Sequence, residues 1–354
     1  MSVDMTYRQC GASDLKLSLL GLGCWTFGGG QYWGNQDQSD VNDVVHAAVD
    51  CGINYFDTAE AYNEGRSESS LAIAMQGLKR DEIIIGSKVT PANCYPGVLE
   101  EHCEASLRRL HTDYIDLYML HWPIHPHSIK HFTKDPAVVG KPPEIGRTFE
   151  ILDRLKQSGK IRHVGISNFS AGRMKEDIPS TLAVAANQLP YNLLCRAVEF
   201  DAMASCKENG IGIISYMTLL QGILAGKYPT LAEVPEWQRR TRHFDSSGSS
   251  LCRHGEAGFE DETDRAIKAI KAVASANKVD MAELSIRWAI ENTNISCALV
   301  GARNRAQLNA NVHALAIEID PEIMEKLNSV TEPLKQHMGN HLDLYESAVN
   351  DRTL

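Results

Sequence analysis

Four side chains with complementary acid–base chemistry follow three neighbouring apolar runs: Asp57, Tyr62, Lys88 and His121. A phenol has a pKa of about 10 and is a poor acid at neutral pH. A neighbouring ammonium is expected to lower that pKa, and a carboxylate beside the ammonium keeps it charged. A histidine near the phenol can hydrogen-bond it or a substrate oxygen. We therefore predict a proton donor that polarises a carbonyl oxygen, with the hydride coming from another source.

The elements that must position these side chains alternate in type along the chain. Eight apolar runs, each followed as a rule by an amphipathic run, begin at Leu19, Ile53, Glu82, Tyr114, Ile161, Ala183, Ile211 and Cys297. They are nearly continuous in apolar residues, as strands covered on both faces are. Eight β-then-α units predict an α/β fold of the closed (β/α)8 TIM-barrel type. A doubly wound open sheet is the competitor, but GLGCWTFGGG lacks the G-x-G-x-x-G spacing of a dinucleotide loop.

The chain is predicted to form a single barrel domain over residues 1–354, with additions to the basic repeat. Residues 5–18 are expected to form an N-terminal β-hairpin that caps the barrel floor. Long insertion loops, at about 124–143 and 219–260, follow the fourth and seventh strands. Both follow the carboxyl ends of strands, where barrel enzymes place their sites. The C-terminal tail, 333–354, either folds over that face or stays loose.

The ends of six predicted strands carry polar groups: Asp57, Lys88, His121, Asn168, Gln188 and Tyr216. Helix caps and turns would explain any one of them, but they explain the whole set poorly.

Five motifs, each ending or following a predicted strand, resemble the aldo-keto reductase superfamily from Tyr7 to about Val330. They are GINYFDTAEAYNEGRSE, IIIGSK, DLYMLHWP, GKIRHVGISNFS and GARNRAQLNANV. The length and the GISNFS and GILAGKY segments are similar to the bacterial branch with sugar and inositol reductases.

This resemblance implies a role for each matching residue. Tyr62 would be the general acid, Lys88 and Asp57 would tune it, and His121 would orient the substrate carbonyl. The cofactor-binding residues would be Ser167, Asn168, Gln188, Tyr216, Met217, Leu219, Gly222, Leu224, Lys227, Gly301, Arg303, Gln307 and Asn311. Trp25 and Trp122 would wall the substrate pocket.

The cofactor implied by the resemblance is NADP(H), with NAD(H) as the alternative. Ala310 stands where the family often has an acidic residue, and Gln307 where many members have a basic residue for the 2′-phosphate. Arg303 and Arg305 are close by and could substitute, because a guanidinium pairs well with phosphate.

Composition limits the partners and the compartment. The 354 residues carry a net charge of −10, which argues against a protein that binds nucleic acid by neutralising phosphates. No run of about 18 apolar residues is present, so no membrane span is expected, and Met1 to Cys10 lacks the apolar core of a signal peptide. Nine scattered cysteines indicate the reducing cytoplasm. A monomer and a homo-oligomer both remain open.

Two clusters in the insertions have competing explanations. His121, His125, His127 and His131 could suggest a metal, but Pro123 and Pro126 are expected to prevent the helix that would align them, so no metal site is predicted. A mobile lid carrying Lys130, Lys134 and Lys141 is the alternative to a solvated loop. Arg239, Arg240 and Arg242 form a solvated face or assist with phosphates or an acidic substrate.

We predict an NADP(H)-dependent oxidoreductase that reduces an aldehyde or ketone, with a sugar-like, polyhydroxylated compound as its small-molecule substrate. The first alternative is an NADPH-binding regulatory subunit of the same fold with little turnover, which the potassium-channel β subunits resemble. The second is a different barrel enzyme, such as a glycosidase or a metal-dependent isomerase. A glycosidase needs two carboxylates, and the strand ends supply Asp57 alone.

Overall fold

The structure is a computed structural model that describes residues 5–30 and 32–354. Its ten strands are β1 (Tyr7–Gln9), β2 (Lys16–Ser18), β3 (Leu20–Gly23), β4 (Tyr55–Asp57), β5 (Ile84–Val89), β6 (Ile115–Leu120), β7 (Ile161–Ser167), β8 (Val184–Pro190), β9 (Gly212–Tyr216) and β10 (Ile295–Val300). Eight parallel strands close into a barrel in the order β10-β3-β4-β5-β6-β7-β8-β9. The (β/α)8 prediction is confirmed.

The helices that cover the barrel and its loops are α1 (Gln38–Asp50), α2 (Arg66–Ala74), α3 (Val98–Leu110), α4 (Pro126–Phe132), α5 (Pro136–Gly140), α6 (Ile145–Gln157), α7 (Ala171–Asp177), α8 (Ala202–Glu208), α9 (Glu260–Ala276), α10 (Met281–Glu291), α11 (Arg305–His313) and α12 (Pro321–Met338). The apolar stripe of α3, which includes Leu99 and Cys103, is buried, as its helical spacing predicts. The stripe of α6 through Phe149 and Leu152 is buried in the same way. Within the described ranges, no helix is both long enough and apolar enough to span a bilayer.

Strands β1 and β2 pair antiparallel, which confirms the N-terminal hairpin. Its turn lies against the amino-terminal end of β9, where Ala12 donates a backbone hydrogen bond of 2.6 Å to the carbonyl of Gly210. Gly11 has a φ of +57°, and a Cβ there would stand 2.2 Å from the Gly210 oxygen. Only glycine fits such a close approach in the left-handed region. The hairpin therefore closes the end of the barrel away from the strands' carboxyl ends, as predicted.

Two expectations about the loops were wrong. Pro126 does not prevent a helix, because it occupies the first turn of α4, where a missing N–H costs nothing. The tail does not begin at residue 333, because Pro333 lies inside α12, which continues to Met338. The remaining tail is not loose: Asp343 and Arg352 are both buried. The assignment of the whole chain to one domain stays a prediction.

Candidate active site

The backbone brings the four predicted acid–base residues together at the carboxyl ends of the barrel strands. Asp57 ends β4, Lys88 is the next-to-last residue of β5, and His121 directly follows β6. Tyr62 begins a short 3-10 turn in which the next residue, Asn63, has a φ of 51°. The Asn63 amide donates to the carbonyls of Trp25 (2.9 Å) and Phe27 (2.8 Å). This side chain ties the turn that carries Tyr62 to the loop after β3.

Lys88 is the centre of the site and is fully buried. Its Nζ donates to Asp57 Oδ1 at 2.6 Å, to the carbonyl of Thr58 at 2.8 Å and to the Tyr62 hydroxyl at 3.3 Å. All three ammonium protons therefore have an acceptor, which is what a buried charge requires. Asp57 Oδ2 accepts from the hydroxyl of Tyr55 (3.0 Å) and from Gln188 Nε2 (2.7 Å). The carboxylate and the ammonium hold each other in a fixed position.

The expected direction of the Tyr62 pKa was wrong. Burial of the phenol raises the pKa of Tyr62, and the charge of Lys88, which lowers it, does not compensate. The charge of Asp57 adds to the increase. Burial lowers the pKa of Lys88, but the charges and hydrogen bonds of Asp57 and Tyr62 together outweigh this effect and raise it. Tyr62 is therefore a protonated phenol at neutral pH, beside a permanent positive charge.

His121 faces Tyr62 edge-on, with the two ring centroids 5.6 Å apart. Burial, followed by the charges of Lys88, His131 and Arg352, holds the pKa of His121 well below its usual value. Its Nδ1 is buried and has no hydrogen-bond partner among the described residues. A neutral imidazole can donate its one N–H to a carbonyl oxygen, and its low pKa makes it a poor acceptor for the proton of Tyr62.

The polar residues at the ends of β7, β8 and β9 form one connected network. The Tyr216 hydroxyl donates to Asn168 Oδ1 at 2.8 Å, and Asn168 Nδ2 donates to the carbonyl of His121 and to Ser167 Oγ, both at 3.0 Å. Ser167 Oγ in turn donates to the carbonyl of Gln188 at 3.0 Å. Asn168 has a φ of 65°, so its side chain is set by a left-handed turn just after β7. The network joins the predicted nicotinamide-binding residues to the acid–base set.

A cavity of about 770 Å³ opens above this network. The predicted residues that line it are Trp25, Asp57, Tyr62, His121, Trp122, Ser167, Asn168, Gln188, Tyr216, Met217, Leu219, Gly222, Lys227, Gly301, Arg303, Gln307 and Asn311. Two predicted residues are not on the lining. Lys88 lies behind Asp57 and Tyr62. The side chain of Leu224 is fully buried in the hydrophobic core, and a contact of Leu224 with the cofactor stays a prediction.

Two glycines on the cavity lining leave room for a ligand beside the backbone. A Cβ at Gly222 or at Gly301 would meet no atom within 4 Å, so both backbones leave open space where a side chain would stand. Gly301 lies just before α11, whose amino terminus has the partial positive charge that favours phosphate. Lys227 and Arg303 add positive charge to the same cavity.

Arg303 and Arg305 are less available than the sequence suggested. The Arg303 guanidinium donates to Gln36 Oε1 (2.9 Å), to the carbonyl of Trp33 (3.0 Å) and to the carbonyl of Asn35. Arg305 pairs with Asp43 at 2.9 Å. Arg303 therefore fastens the loop after β3 to the start of α11, a structural role that the sequence did not indicate.

Sequence reasoning missed an aromatic wall around the mouth. Tyr32 stacks on Trp25 with centroids 5.1 Å apart, and Trp237 meets Tyr32 edge-on at 5.0 Å. Tyr32 is not on the cavity lining, but Trp237, Phe132 at the end of α4 and Tyr345 in the tail are. These residues come from loops that are distant in sequence, so no local spacing could have grouped them.

The charged residues of the two insertions that line the cavity are only partly the ones that the sequence suggested. Lys130, Lys134 and Lys141 do not line the cavity. Arg240 does, together with Arg253 and Arg352, which were not singled out in the sequence. The histidines do not form a metal centre: over the described ranges, no group of three or more His, Cys, Asp or Glu side chains is arranged to hold a metal ion.

With the barrel and this site in place, comparison with known proteins identifies the family. The model of the aldo/keto reductase family matches residues 19–332. The chain therefore belongs to the aldo/keto reductase family, and it is an NAD(P)H-dependent oxidoreductase, as predicted. The resemblance drawn from the five motifs is confirmed.

Three similar proteins illustrate the range of this family. The NADH-specific methylglyoxal reductase of Escherichia coli is 29% identical over 92% of this chain and 98% of that protein. A probable voltage-gated potassium channel subunit beta of Arabidopsis thaliana is 26% identical over 93% of this chain and 97% of its own length. A crystal structure of an aldo/keto reductase from Klebsiella pneumoniae in complex with NADP and acetate is 26% identical, with a TM-score of 0.67, covering 95% and 99% of the two chains.

Proposed function

We propose that this protein reduces the carbonyl group of a polyhydroxylated aldehyde or ketone with NADPH, and that Tyr62 donates the proton. The observation that carries this proposal is the buried chain of contacts from Asp57 through Lys88 to the Tyr62 hydroxyl, which opens into the cavity beside His121. The reverse reaction would oxidise the corresponding alcohol.

The side chains have complementary tasks in this proposal. His121, neutral because of its depressed pKa, hydrogen-bonds the substrate oxygen and places it near the Tyr62 hydroxyl. As negative charge develops on that oxygen, Tyr62 transfers its proton, and the nearby Lys88 ammonium stabilises the phenolate that remains. When bound, the reduced nicotinamide supplies the hydride that no side chain can provide.

The residues proposed to hold the cofactor surround the rest of the cavity. Asn168 and Gln188, joined to Ser167, present amide groups beside Tyr216, whose ring offers a flat face for the nicotinamide. Lys227 and the loop at Gly222 are suited to the pyrophosphate, and the residues after Gly301 to the adenosine part.

A substitution of the phenol tests the proton donor. We expect Tyr62→Phe to leave NADPH affinity within about twofold and to lower kcat for carbonyl reduction by at least about 100-fold, the usual contribution of a general acid. The measurement is fluorescence titration of NADPH together with steady-state reduction of several aldehydes. Tyr114→Phe is the matched control. This tyrosine directly precedes β6, at the end of the strand opposite to His121, and its ring lies between the guanidinium groups of Arg80 and Arg162. Retained turnover within a few-fold in Tyr62→Phe would contradict the role of Tyr62.

The same assays distinguish the alternatives. Tight NADPH binding by the wild-type protein with no oxidation by any carbonyl would favour a regulatory subunit. Activity that ignores nicotinamide and disappears with a chelator would favour a metal-dependent isomerase.

The proposed substrate class rests on the walls of the mouth. Trp25 and Trp122 supply apolar faces that can pack against a sugar-like chain, and His121 supplies a polar group. We also propose the reducing cytoplasm as the location, because all nine cysteines are free thiols and seven of them are buried.

A further inference from the structure

The charge of the cavity is opposite to the charge of the molecule. The chain carries a net charge of −10, yet the titratable side chains on the lining include five permanent cations and a single carboxylate. The cations are Lys227, Arg240, Arg253, Arg303 and Arg352, and the carboxylate, Asp57, is already held by Lys88. Part of this excess suits cofactor phosphates. The rest of this positive charge must have another ligand.

Three of the arginines gather at the substrate side of the cavity. The Arg352 guanidinium lies 3.9 Å from the ring centroid of Trp122, the residue after His121. Arg240 and Arg352 both approach the ring of Tyr345, at 5.5 Å and 5.8 Å. Arg240 also stacks over Tyr32 at 4.1 Å.

The environment of His131 supports this grouping. His131 lines the same cavity, and partial burial with the charges of Arg352, Arg253 and Arg240 lowers its pKa to about 3. The charges of the three arginines therefore act on His131 in the same direction, and the charge of Asp343 opposes them. It is neutral at physiological pH and adds a hydrogen-bonding group without further charge.

The three guanidinium groups differ in how well they are neutralised. Arg352 forms a two-point ion pair with Asp343, with both distances 2.7 Å, and Arg253 pairs with Glu346 at 2.5 Å. Arg240 has no carboxylate partner among the described residues. Its Nη2 donates to the Tyr32 hydroxyl, and its Nε is buried with no hydrogen-bond partner in the described part of the chain. A guanidinium left incompletely paired beside two others is costly unless an anion joins it.

Arg240 is connected both to the substrate side of the cavity and to the loop after β9, because its neighbours Tyr32 and Tyr345 each form a hydrogen bond with Gln221. Arg240 shares the Tyr345 ring with Arg352, and Arg352 packs on the tryptophan that follows His121. Arg303, in contrast, is bonded to the loop after β3 at the start of α11. Arg303 therefore has other partners than Arg240 and Arg352.

We propose that the substrate carries an anionic group, a carboxylate or a phosphate, which binds to Arg240 with Arg253 and Arg352 beside it, while its carbonyl meets Tyr62 and His121. This inference rests on the proposed carbonyl reduction and narrows its substrate class. Trp25 meets the ring of Tyr62 at a tilt and stacks on Tyr32, over which Arg240 lies. The anionic group of the ligand is therefore separate from its carbonyl group.

Two pairs of aldehydes that differ in charge test this proposal. Butanal is compared with succinic semialdehyde, the carboxylate arm, and glyceraldehyde with glyceraldehyde 3-phosphate, the phosphate arm. We expect the anionic member of at least one pair to have a kcat/KM about tenfold or more above its neutral partner, since charge-assisted hydrogen bonds are the strong ones. The arm with the larger ratio identifies the anion. Equal kcat/KM values within both pairs would overturn the proposal.

The variant Arg240→Gln tests whether Arg240 causes the preference for anionic over neutral aldehydes. We expect its kcat/KM for the preferred anionic aldehyde to fall about tenfold more than that for the neutral partner, mainly through KM. Arg239→Gln is the matched control: it removes the same charge from the neighbouring residue, whose side chain bonds the carbonyls of Val234 and Ala232 and does not line the cavity. An equal loss for anionic and neutral aldehydes, or a loss confined to NADPH affinity, would overturn the role of Arg240.

A binding measurement separates this inference from the proposed reaction. The product alcohols of both pairs, 4-hydroxybutanoate with 1-butanol and glycerol 3-phosphate with glycerol, are titrated into the NADP-loaded wild-type protein and followed by tryptophan fluorescence. Tighter binding of the anion, lost in Arg240→Gln, supports the anion site even if no aldehyde is reduced. Reduction of both charged and neutral aldehydes without a difference in alcohol binding leaves the proposed function standing and rejects the anion site.

Discussion

At the scale of single residues, the site depends on one buried ammonium group. Lys88 is 0% exposed, and its three contacts with Asp57, Thr58 and Tyr62 use its whole donor capacity. A buried ion pair adds little net stability, but removing one member strands the other charge. Lys88 is therefore expected to be needed for folding as well as for chemistry.

We expect Lys88→Met to lower the free energy of unfolding by about 3–5 kcal/mol, because Asp57 is left as an uncompensated buried charge. Adding Asp57→Asn to this variant should recover part of the loss. Urea unfolding at pH 7 measures both changes. Lys79→Met is the control, because it removes a solvent-exposed pair with Glu82 and should change the stability much less. If Lys88→Met and Lys79→Met lose similar stability, the buried pair does not have this role.

The types of the acid–base residues could be predicted from the sequence, but their pKa values could not. Residues that end adjacent strands of a barrel must converge, so Asp57, Lys88 and His121 follow from the alternating pattern alone. The direction of the Tyr62 pKa depends on how far the phenol is desolvated. That is decided by loops from several parts of the chain, which no local pattern describes.

At the scale of elements, the predicted strands and insertions occur where expected, and the contacts between loops are the new information. The loop after β3 is bonded to the start of α11 through Arg303, and the tail after α12 reaches Trp122 through Arg352. Such contacts cannot be predicted from the sequence, because the residues are far apart along the chain and the loops have no periodic pattern. The fold is thus more predictable than the lining of its mouth.

The role of Arg303 gives a prediction for cofactor choice. Because the guanidinium holds Trp33, Asn35 and Gln36, we expect Arg303→Ala to loosen this loop and to weaken NADPH and NADH by similar factors. Fluorescence titration with the two cofactors measures the ratio. Arg305→Ala, which breaks only an exposed pair with Asp43, is the control. A loss much larger for NADPH than for NADH would mean that Arg303 contacts the 2′-phosphate.

The loop after β9 contains a fully buried histidine that predicts a pH dependence. Burial lowers the pKa of His243 to about 4, against 6.5 for a free histidine, and its Nε2 contacts the carbonyl of Leu194 at 2.8 Å. Since the folded pKa is depressed, the unfolded chain binds the proton first, and stability falls as the pH drops from 6.5 towards 4. One such group contributes a slope of up to about 1.4 kcal/mol per pH unit.

We expect His243→Gln to flatten this acid side of the stability profile, measured by urea unfolding between pH 7 and pH 4. His46→Gln, at an exposed position of α1, should leave the slope unchanged. An identical slope in wild type and His243→Gln would show that other groups cause the acid sensitivity.

At the scale of the whole molecule, an acidic protein encloses a basic cavity. The outer charge repels anions at long range, whereas the lining attracts them within about a Debye length. The sequence predicted the negative charge of the molecule. The positive charge of the cavity follows only from the fold, which brings Arg240, Arg253 and Arg352 to its lining.

Added salt should therefore weaken the binding of NADPH more than it changes the rate of carbonyl reduction. We expect the KM for NADPH to rise several-fold between about 20 and 300 mM NaCl, while kcat changes little, because screening weakens the attraction of the lining cations. Steady-state kinetics at saturating aldehyde measures this. A KM that is independent of salt would indicate that the cavity cations are neutralised by their own protein partners.

The burial of seven of the nine thiols has a practical consequence for spectroscopy. Cys51 and Cys252 alone are partly accessible, so a maleimide fluorophore would attach at these two positions. Replacing Cys51 with serine would leave Cys252, next to Arg253 at the rim of the mouth, as a unique attachment point. A dye placed there would report, without further engineering, how the rim responds when ligands enter.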